Sequence, residues 1–103
     1  MITEIVTLRL PGILAREDIL ERFDASARVW ADNPDLIRKN YLLDIESGIV
    51  GGVYLWKTRK AAEKWHGPAF REQAREVYGA EPDIQFFDTP IVVDNVTGAV
   101  VRN

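Results

Sequence analysis

The residues best suited to chemistry in this chain surround a break in a predicted helix, at Trp65-His66-Gly67-Pro68. His66 is the single histidine of the chain, and histidine is the side chain that titrates near neutral pH without help from its surroundings. It is therefore the first candidate for a general base. A histidine at a helix end can instead interact with the last carbonyl groups of that helix, so both interpretations stay open.

A large set of aromatic side chains accompanies this histidine. Most aromatic residues only pack in a core, but tyrosine and tryptophan carry a polar hydrogen that needs a partner when it is buried. Such a cluster near the helix break would form the wall of a site for an aromatic or apolar ligand with one or two polar groups. The side chains that we expect to line this site are Trp30, Tyr41, Tyr54, Trp56 and Trp65.

The composition excludes several other kinds of site. The chain has 103 residues and no cysteine, so thiolate zinc sites, iron–sulfur clusters and cysteine nucleophiles are ruled out. A single histidine also rules out a multi-histidine zinc site within one chain, which leaves only oxygen-ligand metals, and we expect no cofactor. The net charge of −3 provides no broad field for phosphate, so we expect no nucleic-acid partner.

The longest uncharged run, Ser47 to Trp56, is too short to cross a bilayer, and the N-terminus lacks the pattern of a signal peptide. We therefore expect a cytoplasmic protein with no membrane partner. Gly51 and Gly52 open a predicted strand rather than a helix, which indicates close backbone packing instead of a phosphate loop. Neither Ser26 nor Ser47 occupies the Gly-x-Ser-x-Gly turn of a serine hydrolase.

Hydrophobic periodicity predicts the elements that position these residues. The strand and helix signals alternate in the order βαββαβ, which is typical of an α+β, ferredoxin-like domain with both helices on one face of an antiparallel sheet. We expect one domain over residues 1–103. The predicted strands are Ile2–Leu10, Leu36–Asp44, Ile49–Trp56 and Ile84–Asp88, the last continuing as Ile91–Val93, and the predicted helices are Arg16–Asp32 and Arg59–Gly79 with a break at Gly67-Pro68.

Both faces of the predicted sheet carry apolar side chains. In the third strand Val53 and Leu55 point to one face, while Tyr54 and Trp56 point to the other. A sheet with helices on one side only would leave the second apolar face in water. This pattern predicts a homodimer in which two sheets pack face to face, with the C-terminal tail covering exposed strand edges.

Several stretches resemble the small mono-oxygenases of the dimeric α/β-barrel superfamily, whose members are antibiotic-biosynthesis-monooxygenase-like. The resemblance covers almost the whole chain and implies a dimeric α/β barrel. This superfamily includes cofactor-free oxygenases of polycyclic phenols, haem-degrading enzymes, isomerases and proteins with no established activity. The stretches that carry the resemblance are Gly51–Trp56, Ala61-Ala62 up to Trp65, Asp83–Asp88, Pro11-Gly12 and Asn33-Pro34.

In cofactor-free members, a phenolic substrate is deprotonated to an electron-rich anion that reacts directly with dioxygen. The resemblance therefore implies a cofactor-independent mono-oxygenase that acts on a small aromatic or polyketide-like substrate. The protein would supply a base, donors for the anion and an apolar cavity that excludes water. The alternative is a non-catalytic, ligand-binding or structural homodimer of the same fold, because a fold does not establish chemistry.

The resemblance also implies roles for individual residues. The best-understood relatives use an asparagine, a tryptophan and an arginine, and Asn40, Trp65 and Arg38 are counterparts by type. We expect His66 to act as the base, Trp65 to support catalysis, Arg38 to stabilise an anion and Asn40 to bind substrate. Many relatives place a histidine nine positions after the strand-end tryptophan, where this chain has Trp65, so histidine-dependent chemistry such as haem ligation does not carry over directly.

Overall fold

A computed structural model describes residues 1–12 and 14–103 as an antiparallel sheet covered on one face by helices, followed by a separate hairpin. The elements in chain order are β1 (Ile2–Arg9), α1 (Arg16–Ala31), β2 (Leu36–Asp44), β3 (Ile49–Trp56), α2 (Arg59–Trp65), α3 (Pro68–Tyr78), β4 (Asp83–Asp88), β5 (Ile91–Asp94) and β6 (Ala99–Arg102).

The main sheet has the strand order β2-β3-β1-β4, and all neighbouring strands are antiparallel. This arrangement confirms the predicted α+β, ferredoxin-like fold, and the bounds of β2 and β3 are those predicted. The two central strands, β1 and β3, contribute most of the buried apolar side chains. The sheet therefore forms the floor on which both helical segments rest.

Local sequence signals fix the ends of several elements. The Thr58 hydroxyl accepts a hydrogen bond from the Ala61 amide at 3.1 Å and so caps α2. Pro68 begins α3, a position that tolerates proline because the first helical amides lack partners. Gly79 ends α3 in the left-handed conformation, at a φ of 69°, which glycine adopts without steric cost.

The C-terminal segment departs from the prediction. Residues after Thr89-Pro90 do not continue β4, because Pro90 has no amide hydrogen for the ladder. Instead β5 pairs with β6 in a second, two-stranded sheet, so the tail forms a hairpin of its own and does not extend the main sheet. Polar contacts attach this hairpin and the residues just before it to the rest of the fold: the hydroxyls of Thr3 and Thr89 bond each other, the Thr89 amide donates to the Met1 carbonyl at 3.0 Å, and Arg38 Nη2 lies 3.1 Å from Asp94 Oδ2.

The core lies between the sheet and the helices. Alternate residues of β1 and β3 point to this side, and the core divides into two clusters. The first is centred on Ile2, Val6, Tyr54, Trp56, Ala61 and Ala62, and the second on Leu8, Ile19, Val50 and Ala74. Over the described ranges 1–12 and 14–103, no helix combines the length and the apolar character needed to cross a bilayer.

Candidate functional site

A cavity of about 530 Å³ opens between the sheet and the two longer helices. Its floor is formed by β1, β2 and β3, and its side walls by α1 and α3. The walls are mainly apolar and aromatic, as in most small-molecule sites. Residues that line it include Val6, Leu8, Phe23, Ser26, Trp30, Lys39, Tyr41, Gly52, Tyr54, Phe70, Ala74, Val77 and Tyr78.

Lys39 projects from β2 into this cavity and is surrounded by aromatic rings. Its Nζ atom lies 3.9 Å from the centre of the Tyr41 ring, 4.5 Å from that of Tyr54 and 5.2 Å from that of Trp30. Gly52, opposite Tyr41 on β3, leaves room for this arrangement, since a Cβ there would lie 3.0 Å from the Cε of Lys39. The result is an amine on the floor of an apolar cavity.

Burial lowers the pKa of Lys39 to about 7, and the nearby Glu4 carboxylate opposes that shift. Aromatic faces stabilise an ammonium group, but they replace only part of the hydration that is lost. Close to neutral pH the amine is thus divided between its neutral and charged forms. It can accept a proton, or it can hold an anion as an ammonium group.

The tyrosines beside Lys39 remain protonated in this environment. Burial raises the pKa of Tyr54, and the Glu4 carboxylate raises it further. Burial also raises the pKa of Tyr41, although a hydrogen bond with the Ser26 hydroxyl partly opposes this effect. Tyr41 stacks on Phe23 with 4.6 Å between ring centres. These phenols can therefore donate hydrogen bonds, and they are poor candidates for a base at neutral pH.

A buried polar cluster lies behind the cavity wall. Glu4 and His66 are almost completely buried, and His66 Nδ1 lies 2.5 Å from Glu4 Oε1. The same carboxylate oxygen accepts a hydrogen bond from Trp56 Nε1 at 2.8 Å. Tyr54 and Phe70 pack on the His66 ring, at 4.5 and 4.0 Å between ring centres, and these two side chains also line the cavity. His66 therefore lies behind Tyr54 and Phe70 and does not line the cavity.

The structure brings only part of the predicted site together. Trp30, Tyr41 and Tyr54 line the cavity. Trp56 is buried against Glu4, outside the cavity lining. Trp65 lies in an adjoining groove that shares Trp30 and Phe70 with the cavity, and its Nε1 donates to Asp35 Oδ2 at 3.1 Å.

Arg38 and Asn40, which the sequence analysis placed in the site, do not line this cavity. In β2, residues Arg38 and Asn40 pair with Leu55 and Val53, on the sheet face away from the helices. Arg38 instead forms the ion pair with Asp94 of the hairpin. The residue between them, Lys39, points to the cavity, because successive side chains of a strand alternate between faces.

Two functional candidates, Lys39 and Glu4, were missed although the sequence contains a signal for each. Lys39 is two residues before Tyr41, so the two must share a face of β2. Glu4 falls between Ile2 and Val6 on the buried face of β1, where a charge is rare without a partner. Among residues 1–12 and 14–103, no group of three or more His, Asp or Glu side chains is arranged to hold a metal ion.

The lowered pKa of Lys39 leads to a measurable dependence of stability on pH. Between the folded pKa of about 7 and the ordinary lysine pKa of 10.5, the unfolded chain binds more protons at Lys39 than the folded chain does. The free energy of unfolding should therefore rise with pH in this window, by up to about 1.4 kcal/mol per pH unit. Denaturant titrations between pH 7.5 and 9 should show this rise relative to Lys39→Met. Parallel curves for the two proteins would contradict it.

Comparisons with known proteins show a similarity of fold. No family model matches the chain, and no curated protein matches it at a significant level. A solved structure of SnoaB, a cofactor-independent oxygenase from Streptomyces nogalater, shares 15% identity with a TM-score of 0.64, over 91% of this chain and 97% of that chain.

Two further solved structures are similar, and both are described as candidate antibiotic biosynthesis monooxygenases. The protein from Deinococcus radiodurans shares 12% identity with a TM-score of 0.66, over 91% of this chain and 97% of its own. The protein from Caulobacter crescentus shares 22% identity with a TM-score of 0.62, over 85% of this chain and 88% of its own. At these identities the agreement concerns the fold. The chain has the ferredoxin-like fold of the antibiotic biosynthesis monooxygenase-like proteins.

Proposed function

We propose that this protein is a cofactor-independent mono-oxygenase that acts on a small aromatic or polyketide-like molecule. The observation that carries the proposal is the cavity of about 530 Å³, which combines apolar and aromatic walls with a partly buried amine, that of Lys39, on its floor. A flat aromatic substrate fits between such walls, and a phenolate or enolate would find a countercharge there. The oxygenase named among the similar structures has the same fold.

The proposed chemistry needs only the substrate and dioxygen. Loss of a proton makes an aromatic phenol or enol electron-rich, so that it can transfer electrons to oxygen. Oxidation of a ring CH₂ group to a carbonyl supplies the four electrons that reduce O₂, with one oxygen atom retained in the carbonyl and the other released as water. The cavity contributes by holding the anion and by excluding water from the reactive intermediates.

The first test is oxygen uptake by the protein with a panel of anthrones, hydroquinones and flavonoid-like phenols. We expect uptake with at least one aromatic compound, together with quenching of tryptophan fluorescence, because Trp30 lines the cavity. Fluorescence quenching without oxygen uptake would instead support the alternative, a non-catalytic ligand-binding protein. Product formation that does not depend on oxygen would support an isomerase.

Blocking the cavity mouth should reduce turnover without unfolding the protein. Val77 of α3 lines the cavity and is 52% exposed, so Val77→Trp can add a large side chain at the opening. We expect kcat/KM to fall by at least about tenfold, since the substrate can no longer take its reactive position. Glu72→Trp, on an exposed and non-lining position of the same helix, is the control and should retain activity. Equal activity of both variants would exclude this cavity as the site.

We also propose that two copies pair through the sheet face that lies away from the helices, termed here the open face. The apolar side chains that support this proposal are Ile5, Leu42, Val53, Leu55 and Phe87 on the open face and Ile91, Val93, Val96, Val100 and Val101 on the hairpin. On the hairpin, Val93 and Val96 are 65% and 96% exposed, which is costly for a group of valines that stays in water.

Sedimentation can test this association. The wild type should have the mass of a dimer, and Val53→Asp should weaken its association at least tenfold by placing a charge in the interface. Val29→Asp, which alters an exposed valine on the helical side, should leave the association unchanged. A wild-type monomer at all concentrations would refute the dimer.

The cytoplasmic location stays a prediction from the sequence.

A further inference from the structure

We infer that Lys39 is the base of this site, accepting the proton of an acidic phenol or enol and then holding the resulting anion as its ammonium partner. This inference rests on the proposed function and adds the residue that activates the substrate. It differs from the prediction that His66 is the base. His66 lies behind Tyr54 and Phe70, and its side chain has no exposed surface.

The position of the amine carries the argument. Lys39 rises from the sheet floor into a cavity large enough for an aromatic substrate, and three aromatic rings place their centres within 5.2 Å of its Nζ. Lys39 Nζ is held over the faces of these rings. The hydroxyl of a phenol that enters the cavity can approach the amine and form a hydrogen bond with it.

The proton balance of the step is simple. The phenol O–H bond breaks, its proton moves to the neutral Lys39 amine, and its electron pair stays on the oxygen as phenolate. The phenolate and the ammonium then form a charge-assisted hydrogen bond inside an apolar cavity, where such a bond is strong. Because burial lowers the pKa of Lys39 to about 7, a useful fraction of the amine is neutral before the substrate enters.

The other ionisable groups around the amine do not compete for this role. Tyr41 and Tyr54 have raised pKa values and stay protonated near neutral pH. The Glu4 carboxylate is sealed behind the wall, where its Oε1 is shared by His66 and Trp56. The groups that face the cavity or its wall from each packed element are Glu4 of β1, Tyr41 of β2, Tyr54 of β3, Arg22 of α1, His66 after α2 and Tyr78 of α3.

Binding of 4-cyanophenol tests the inference without any oxygen chemistry. This phenol is largely un-ionised at pH 7.5, and its phenolate absorbs at longer wavelength. We expect the wild type to bind it with the phenolate spectrum and with almost no net release of protons, because Lys39 retains the proton. Lys39→Met should bind it roughly 10- to 100-fold more weakly and without the phenolate spectrum, since the charge-assisted bond is lost.

Lys39→Arg separates the base from the countercharge. Arginine stays protonated, so it can hold the phenolate but cannot accept its proton. Calorimetry in buffers of different ionisation enthalpy should show that this variant releases most of one proton per bound phenol, in contrast to the wild type. Equal proton release by the two proteins would overturn the role of Lys39 as base.

The wild type alone also gives a decisive result if a variant fails to fold. Binding of 4-cyanophenol in its neutral form, or no binding at millimolar concentration, would overturn the inference.

The results also distinguish this inference from the proposed function. If 4-cyanophenol binds as its phenolate but no compound of the substrate panel causes oxygen uptake, Lys39 is an anion site and the proposed oxygenase is refuted. Oxygen uptake that survives in Lys39→Met would keep the oxygenase and refute Lys39 as its base.

Discussion

Replacing Glu4 by alanine is expected to lower the free energy of unfolding by about 3–5 kcal/mol, because two buried polar groups lose their partner at a cost of about 1–3 kcal/mol each. The Glu4 carboxylate accepts from Trp56 Nε1 and contacts His66 Nδ1, and all three side chains are almost completely buried. Its removal leaves two buried polar groups without a partner and a cavity beside them. Urea or thermal unfolding at fixed pH measures this loss.

Glu63→Ala is the matched control for this experiment. Glu63 is the exposed partner of Arg59 in α2, at 3.3 Å, and exposed pairs of this kind stabilise by at most about 0.5 kcal/mol. Glu4→Gln keeps the shape and one acceptor oxygen, so its effect should fall between those of the two alanine variants. A loss for Glu4→Ala as small as that for Glu63→Ala would mean that the buried cluster does not stabilise the fold.

Adding a single methyl group at Gly51 is expected to destabilise the protein by about 3 kcal/mol or more, at the upper end of overpacking effects. A Cβ at Gly51 would lie 1.9 Å from the carbonyl oxygen of Val6 and 2.9 Å from its carbonyl carbon. Both are backbone atoms of β1, the central partner of β3, so relief of the clash must disturb the pairing of the two central strands. The loss of unfolded-chain entropy that favours alanine over glycine is at most about 1 kcal/mol and cannot offset this.

Gly12→Ala provides the comparison, because a Cβ at Gly12 meets no atom within 4 Å. It should change the free energy of unfolding by less than about 1 kcal/mol. Denaturant unfolding of both variants, with expression as soluble protein as a second readout for Gly51→Ala, distinguishes the two positions. Similar stability of the two variants would show that β1 and β3 can separate locally without cost.

The His66 ring takes neither of the two positions that the sequence suggested. It does not line the cavity, where a base would lie, and it does not cap the end of α2. The His66 amide does bond the Ala62 carbonyl at the end of α2, at 2.9 Å, but its ring turns inward to Glu4. The His66 ring is therefore buried against Glu4, and Lys39 is a titratable side chain that projects into the cavity from β2.

The order and type of most elements could be predicted from the sequence, because the signals involved are local. Alternating apolar residues in β3, the proline at the start of α3 and the glycine after its end depend on neighbours within a few residues. Strand parity also places Lys39 and Tyr41 on one face of β2 and Arg38 on the other. Choosing Lys39 over Arg38 required knowing the face on which the helices lie, since both faces of the sheet are partly apolar.

The contacts between residues far apart in the sequence could not be predicted in this way. Glu4 and His66 are separated by 62 positions, and their contact depends on the packing of the end of α2 against β1. The cavity is enclosed by α1, α3 and the sheet, and Gly52 on the sheet leaves room for the Lys39 side chain. Burial by these elements lowers the pKa of Lys39. Long-range packing and desolvation depend on the whole arrangement of the chain, so no local pattern of residues could have revealed them.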